Sequence, residues 1–117
     1  MSAHYGIIFD KGADFDLYLV FENGEGVVVD MAGSSIVMQV RDGYDGPLID
    51  ELSTENGRVA FADVQGRKGL HLSFPAAVSA AWQAGRFVYD ILRIEADGSR
   101  ARLLEGPLTA RPEVTRI

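Results

Sequence analysis

Apolar and polar residues alternate with a period of two along most of the chain. Phe15, Leu17, Leu19 and Phe21 alternate with Asp16, Tyr18 and Val20, so one side of that run is wholly apolar. Ile36, Met38 and Val40 alternate with Val37, Gln39 and Arg41, and Leu70, Leu72 and Phe74 with His71 and Ser73. Phe87, Tyr89 and Ile91 interleave with Val88, Asp90 and Leu92; Val59 with Phe61, and Arg102 to Leu104, make shorter runs. Successive side chains of a strand point to opposite faces, so each run predicts a strand with one face in a core. The predicted core is Phe15, Leu17, Leu19, Ile36, Met38, Val40, Phe61, Leu70, Leu72, Trp82, Tyr89 and Ile91. Turn chemistry bounds the runs at Asn23-Gly24, Gly33-Ser34, Asp42-Gly43, Asp45-Gly46-Pro47, Asn56-Gly57, Gln65-Gly66, Asp97-Gly98 and Gly106-Pro107. Asn-Gly and Asp-Gly accept positive φ at little cost, as tight hairpins require. Short strands at this spacing predict an all-β sandwich or barrel.

One stretch departs from the alternation. Pro75-Ala76-Ala77-Val78-Ser79-Ala80-Ala81-Trp82 is alanine-rich, opens with a proline suited to a first helical turn, and is followed by Gly85. It predicts one short helix over about 75–83, with Val78, Ala81 and Trp82 on one face and Trp82 closing an end of the core.

The length of 117 residues predicts one domain spanning 1–117, with no repeat, linker or low-complexity tract. A hydrophobic content of 47% is enough for a globular core. The absence of cysteine excludes disulfides, thiol nucleophiles and zinc–thiolate sites. No apolar run is long enough to span a bilayer, and Met1-Ser2-Ala3-His4-Tyr5 lacks the basic and apolar regions of a signal peptide. A net charge of −6 argues against nonspecific nucleic-acid binding. Residues 1–65 carry three basic side chains against twelve acids, whereas residues 66–117 carry eight against five. That asymmetry is read as solvated charge, or as acidic and basic faces that meet between neighbours.

Catalytic and metal-binding chemistry finds little support. His4 lies near a terminus, His71 sits at an outward strand position, and Gly33-Ser34-Ser35 is turn chemistry rather than a nucleophile elbow. Asp10, Asp14 and Asp16 lack the ligand spacing of a calcium loop, as do Asp42, Asp45, Asp50 and Glu51. Gly24-Glu25-Gly26 is not a nucleotide fingerprint. The expectation is no enzyme, no cofactor, no metal, and no nucleic-acid or membrane partner.

A set of motifs occurs in order along the chain. Asp30-Met31-Ala32-Gly33 is followed by Val37-Met38-Gln39-Val40-Arg41, Gly57-Arg58-Val59-Ala60-Phe61 and Phe87-Val88-Tyr89-Asp90-Ile91. Asp97-Gly98, Leu103-Leu104-Glu105-Gly106 and Pro112-Glu113-Val114-Thr115-Arg116 complete it. From about Phe15 to Arg116 the chain resembles small structural proteins of tailed bacteriophages related to the N-terminal immunoglobulin-like domain of baseplate upper proteins. The resemblance implies an immunoglobulin-like β-sandwich of about seven strands. It also implies a non-enzymatic structural role in the virion, in the tail, baseplate or fibre-attachment apparatus, after synthesis in the host cytoplasm. Its partners would be other phage structural proteins and copies of itself. A head decoration protein is an alternative, and a small carbohydrate-binding module using Tyr5, Tyr18 or Tyr44 a further one. Phe87 stands where that family usually has the tyrosine of a tyrosine corner, so the corner hydroxyl bond is expected to be absent or supplied by Tyr89.

Candidate partner contacts lie at the two ends. Tyr5-Gly6-Ile7-Ile8-Phe9 is apolar on both sides of a strand, which designates Tyr5, Ile7 and Phe9. The β-prone C-terminal stretch designates Arg111, Val114, Arg116 and Ile117.

Overall fold

The alternating runs become strands of two facing sheets in the computed structural model, which describes residues 3–115. In chain order these are β1 (Ala3–His4), β2 (Ile7–Asp10), β3 (Phe15–Leu19), β4 (Ser35–Arg41), β5 (Leu48–Ser53), β6 (Val59–Val64) and β7 (Arg67–Phe74). Helix α1 (Ala76–Ala80), β8 (Gly85–Ile94) and β9 (Arg100–Arg111) follow. The larger sheet has the order β1-β9-β8-β4-β5, with β2 extending the β1 edge along β9. The smaller sheet is β3-β7-β6. Every pairing is antiparallel except those of β1 and β2, which run parallel to β9 with Ala3 opposite Leu104 and Ile7 opposite Leu108.

This order defines an immunoglobulin-like sandwich. Strands β4, β8 and β9 occupy the places of C, F and G, with β5 added beside C, and β3, β7 and β6 occupy those of B, E and D. The N-terminal strands join the larger sheet, so among the described residues no strand lies beside β3 on its outer side.

Parity along each strand decides the core. Ile36, Met38 and Val40 of β4, Ile91 of β8 and Leu108 of β9 meet Phe15, Val59, Leu70, Leu72 and Phe74 from the smaller sheet, all buried. Burying such a side chain contributes roughly 1.5–3 kcal/mol relative to leaving it exposed. Leu17, Leu19 and Trp82 pack against the core while remaining partly exposed. Trp82 meets Phe9, Phe74 and Phe87 with ring centroids 5.4–5.8 Å apart, which closes that end of the sandwich.

Three expectations need correction. Phe61 points toward the core by parity, but it lies on edge strand β6, flanked by β7 on one side only, and is 46% exposed. The helix covers only Ala76–Ala80, and Ser79 is its buried residue, while Ala81 is exposed. Ser79 is buried because its Oγ accepts the Gly12 N–H at 3.0 Å, tying the helix to the β2–β3 turn. Strand β5 was not anticipated, because Asp50 and Glu51 interrupt its alternation. Those acids are compensated: Asp50 accepts two bonds from Arg58 at 3.0 Å, and Glu51 accepts one from Gln39 at 2.9 Å. The β6–β7 hairpin follows expectation, with Gln65 (φ 52°) and Gly66 (φ 81°) both left-handed, as a two-residue type I′ turn demands.

Candidate functional site

The terminal strands are fastened to the sandwich at three points. The Tyr5 N–H donates to the Glu105 carbonyl at 2.9 Å, and the Tyr89 hydroxyl donates to the Tyr5 carbonyl at 2.7 Å. The Tyr5 backbone lies directly on Gly106, where no side chain would fit. The Tyr89 hydroxyl is thus directed to the N-terminal segment rather than to backbone a few residues upstream, so it does not replace the corner bond that Phe87 lacks. Burial pushes the Tyr89 phenol above the ordinary tyrosine range, so it remains a protonated donor. Changing Tyr89 to Phe is expected to cost about 1 kcal/mol, the net value of one hydrogen bond, read as a lower urea midpoint at unchanged m.

Farther along, Lys11 joins Glu113 at 2.6 Å and also donates to the Ala80 carbonyl at 3.0 Å. This pair is largely shielded, with side-chain exposures of 13% and 17%, and it holds the chain after β9 against α1. Arg111 pairs with Asp10 across the parallel β2–β9 register, but both side chains are well exposed. That bridge contributes under about 1 kcal/mol.

The sequence-designated contact residues divide by strand parity. Tyr5 is half-exposed, Arg111 is exposed and Val114 is 97% exposed. Ile7 and Phe9 are 4% and 8% exposed, so they belong to this chain's own core and are withdrawn as partner contacts. The residue that β2 turns outward is Ile8, 68% exposed, the intervening position of the same alternation. Arg116 and Ile117 lie outside the described residues. Sequence reading also passed over Val27 and Leu48, apolar side chains left open in a loop and at a strand start, and it assigned the half-exposed Phe61 to the core.

Two other surfaces carry polar arrangements. On the smaller sheet, Tyr18 and His71 stand opposite each other and stack at 4.3 Å, with 4° between their rings. His71 Nε2 lies 2.7 Å from Asp16 Oδ1. One face of Tyr18 is therefore occupied by its own sheet. On the larger sheet, an open cleft of about 300 Å³ is lined by Gln39, Arg41, Tyr44, Asp90 and Arg102. Its cations are engaged within the sheet: Arg41 donates to the Gly46 carbonyl and Gln39, and Arg102 to Asp90.

Among the described residues no group of three or more His, Asp or Glu side chains comes together as metal ligands. Asp14, considered above as a ligand, accepts the Ala76 N–H at 2.8 Å and so caps the start of α1. Asp30 is held below the usual carboxylate range by the Ala32 N–H and then by Lys68, and Asp97 by the Ser99 hydroxyl and N–H. The Ala32 and Ser99 bonds stabilise turns within their own loops, and Lys68 reaches Asp30 from β7.

Fold and surface together define a small immunoglobulin-like sandwich whose open apolar residues lie on edges, loops and the C-terminal segment. No family model matches the chain. No curated protein matches it either. It is similar in structure to CopC from Methylosinus trichosporium OB3b, with TM-score 0.46, 19% identity, and coverage of 99% of this chain and 89% of that one. It is also similar to murine CRIg, with TM-score 0.38, 13% identity, and coverage of 92% of each chain.

Proposed function

We propose that the chain is a non-enzymatic structural protein of a tailed bacteriophage virion. It belongs to the tail, baseplate or fibre-attachment apparatus and acts through contacts with other virion proteins and with copies of itself. The observation that carries this is the ordered set of motifs from Phe15 to Arg116, several of which take defined places in the fold. Asp30-Met31-Ala32-Gly33 is a turn in which Asp30 accepts the Ala32 N–H, Met31 is buried and Gly33 has φ 86°. Val37–Arg41 lies in β4 and Phe87–Ile91 in β8; Asp97-Gly98 turns the chain into β9, which contains Leu103–Gly106. Surface chemistry is compatible with such a role. Tyr5, Ile8 and Val114 present apolar area near the chain ends, and exposed apolar groups rimmed by charge suit protein contacts.

Immunogold labelling of purified virions, using antibody raised to the folded chain, tests the assignment. Label at the tail or its tip is expected. Label over the whole capsid would favour the head decoration role, and absence of the chain from virions would overturn both.

A further inference from the structure

Strand β3 ends its sheet with a bare edge. The Ser73 N–H donates to the Arg58 carbonyl in the β6 direction, so by alternation Leu72 and Phe74 turn their backbone groups toward β3. Phe15, Leu17 and Leu19 consequently bond to β7, while Asp16 and Tyr18 direct their N–H and C=O groups outward. Edge strands are commonly guarded by lysine, proline or a bulge. The sequence Phe15-Asp16-Leu17-Tyr18-Leu19 has none of these, and its pairing with β7 is unbroken. Its acid is already engaged by His71. Beside the edge, a groove of about 250 Å³ separates β3 from β2 and is lined by Ile7, Phe9, Ala13, Phe15 and Leu17.

We infer that this edge pairs with β3 of a second copy, antiparallel about a twofold axis at Leu17. The pairing goes beyond the virion reading and does not depend on it. The strand is complementary to itself in this register. Asp16 stands opposite Tyr18 of the partner subunit, and Tyr18 opposite Asp16 of the partner subunit, exchanging four backbone hydrogen bonds. Leu17 meets Leu17 of the partner subunit, and Phe15 meets Leu19 of the partner subunit, both pairs on the core side where they close the groove. Moving the axis to Asp16 sets carboxylate against carboxylate, which is unfavourable. Moving it to Tyr18 leaves Phe15 without a place on the partner's strand. Only the axis at Leu17 uses all five residues, and an isologous contact of this kind closes as a dimer with a continuous six-stranded sheet.

The absence of native cysteine makes a direct test possible. In a non-hydrogen-bonded antiparallel pair the Cα atoms lie about 4.5 Å apart, within disulfide range. Mild oxidation of Leu17→Cys is expected to give mostly covalent dimer, while Val27→Cys, at an exposed loop position outside β3, stays monomeric. The unmodified chain is expected to sediment at twice the monomer mass. Tyr18→Pro removes one outward N–H without touching the β7 ladder, and it should halve that mass while leaving the β circular dichroism unchanged. If Tyr18→Pro does not fold, the cysteine comparison decides. A monomeric chain at roughly 100 μM, well above a micromolar Kd, would overturn the pairing. So would equal cross-linking of the two cysteine variants, or open-ended polymers instead of dimers.

Discussion

Changing Gly106 to Ala is expected to detach the N-terminal strands from β9 and lower stability by about 3 kcal/mol or more. A Cβ at this position would run into the Tyr5 carbonyl, a backbone group that no rotamer change can move aside. Relief requires Tyr5 to leave, which breaks its bonds to Glu105 and Tyr89. Ile7 and Phe9 follow in β2, and each loses burial worth roughly 1.5–3 kcal/mol. Gly6→Ala is the control, because its Cβ would meet only the Pro107 ring at an ordinary 3.6 Å. Urea unfolding gives the magnitude, and hydrogen exchange at Ile7–Asp10 shows whether the loss is local. Native stability in the Gly106 variant would mean that the Tyr5 backbone does not lie against β9.

Leu72→Ala is expected to cost about 2–5 kcal/mol, the range for deleting a buried leucine where the site cannot collapse. Leu72 is fully buried at the middle of the smaller sheet, opposite Leu17 on one side and Val59 on the other. Against a total stability of about 5–15 kcal/mol, that loss would leave a measurable unfolded population near the melting range. Phe61→Ala is the informative comparison. The side chain is larger, but it is 46% exposed, so its removal is expected to cost about 1 kcal/mol. Equal destabilisation by the two would contradict the burial assigned to β6.

The contrast between Leu72 and Phe61 illustrates what alternation can reveal. Period two assigns a side chain to a face, and the faces of β3, β4, β7 and β8 follow the sequence because β3 pairs with β7, and β4 with β8, without a register shift. Period two does not say which strand lies at a sheet edge, and Phe61 is on such a strand, β6. Strand β5 was hidden because its edge position tolerates Asp50 and Glu51, which find Arg58 and Gln39 only after folding. Tyr5-Gly6-Ile7-Ile8-Phe9 was read as apolar on both sides, and it is. However, burial of Ile7 and Phe9 depends on β9, about a hundred residues away, which local pattern cannot reveal. The tie between Lys11 and Glu113 was illegible for the same reason. Tyr89 was the available hydroxyl, but its acceptor on Tyr5 is set by the path of the N-terminal strand.

The parallel seam between β2 and β9 also dictates when the molecule can be finished. Ile7 waits for Leu108 and Phe9 for Ala110, contacts between near-opposite ends of the chain. Pairings of such separation form slowly, because the whole intervening loop must be closed before any bond is gained. On the ribosome, β3 through β8 can emerge and begin to pair while Ile7 and Phe9 remain uncovered. Strand β9 completes the sheet by inserting between β8 and the N-terminal segment. Ile7-Ile8-Phe9 is therefore the stretch most in need of a chaperone during synthesis, and emergence of β9, rather than of the early strands, sets the start of stable folding.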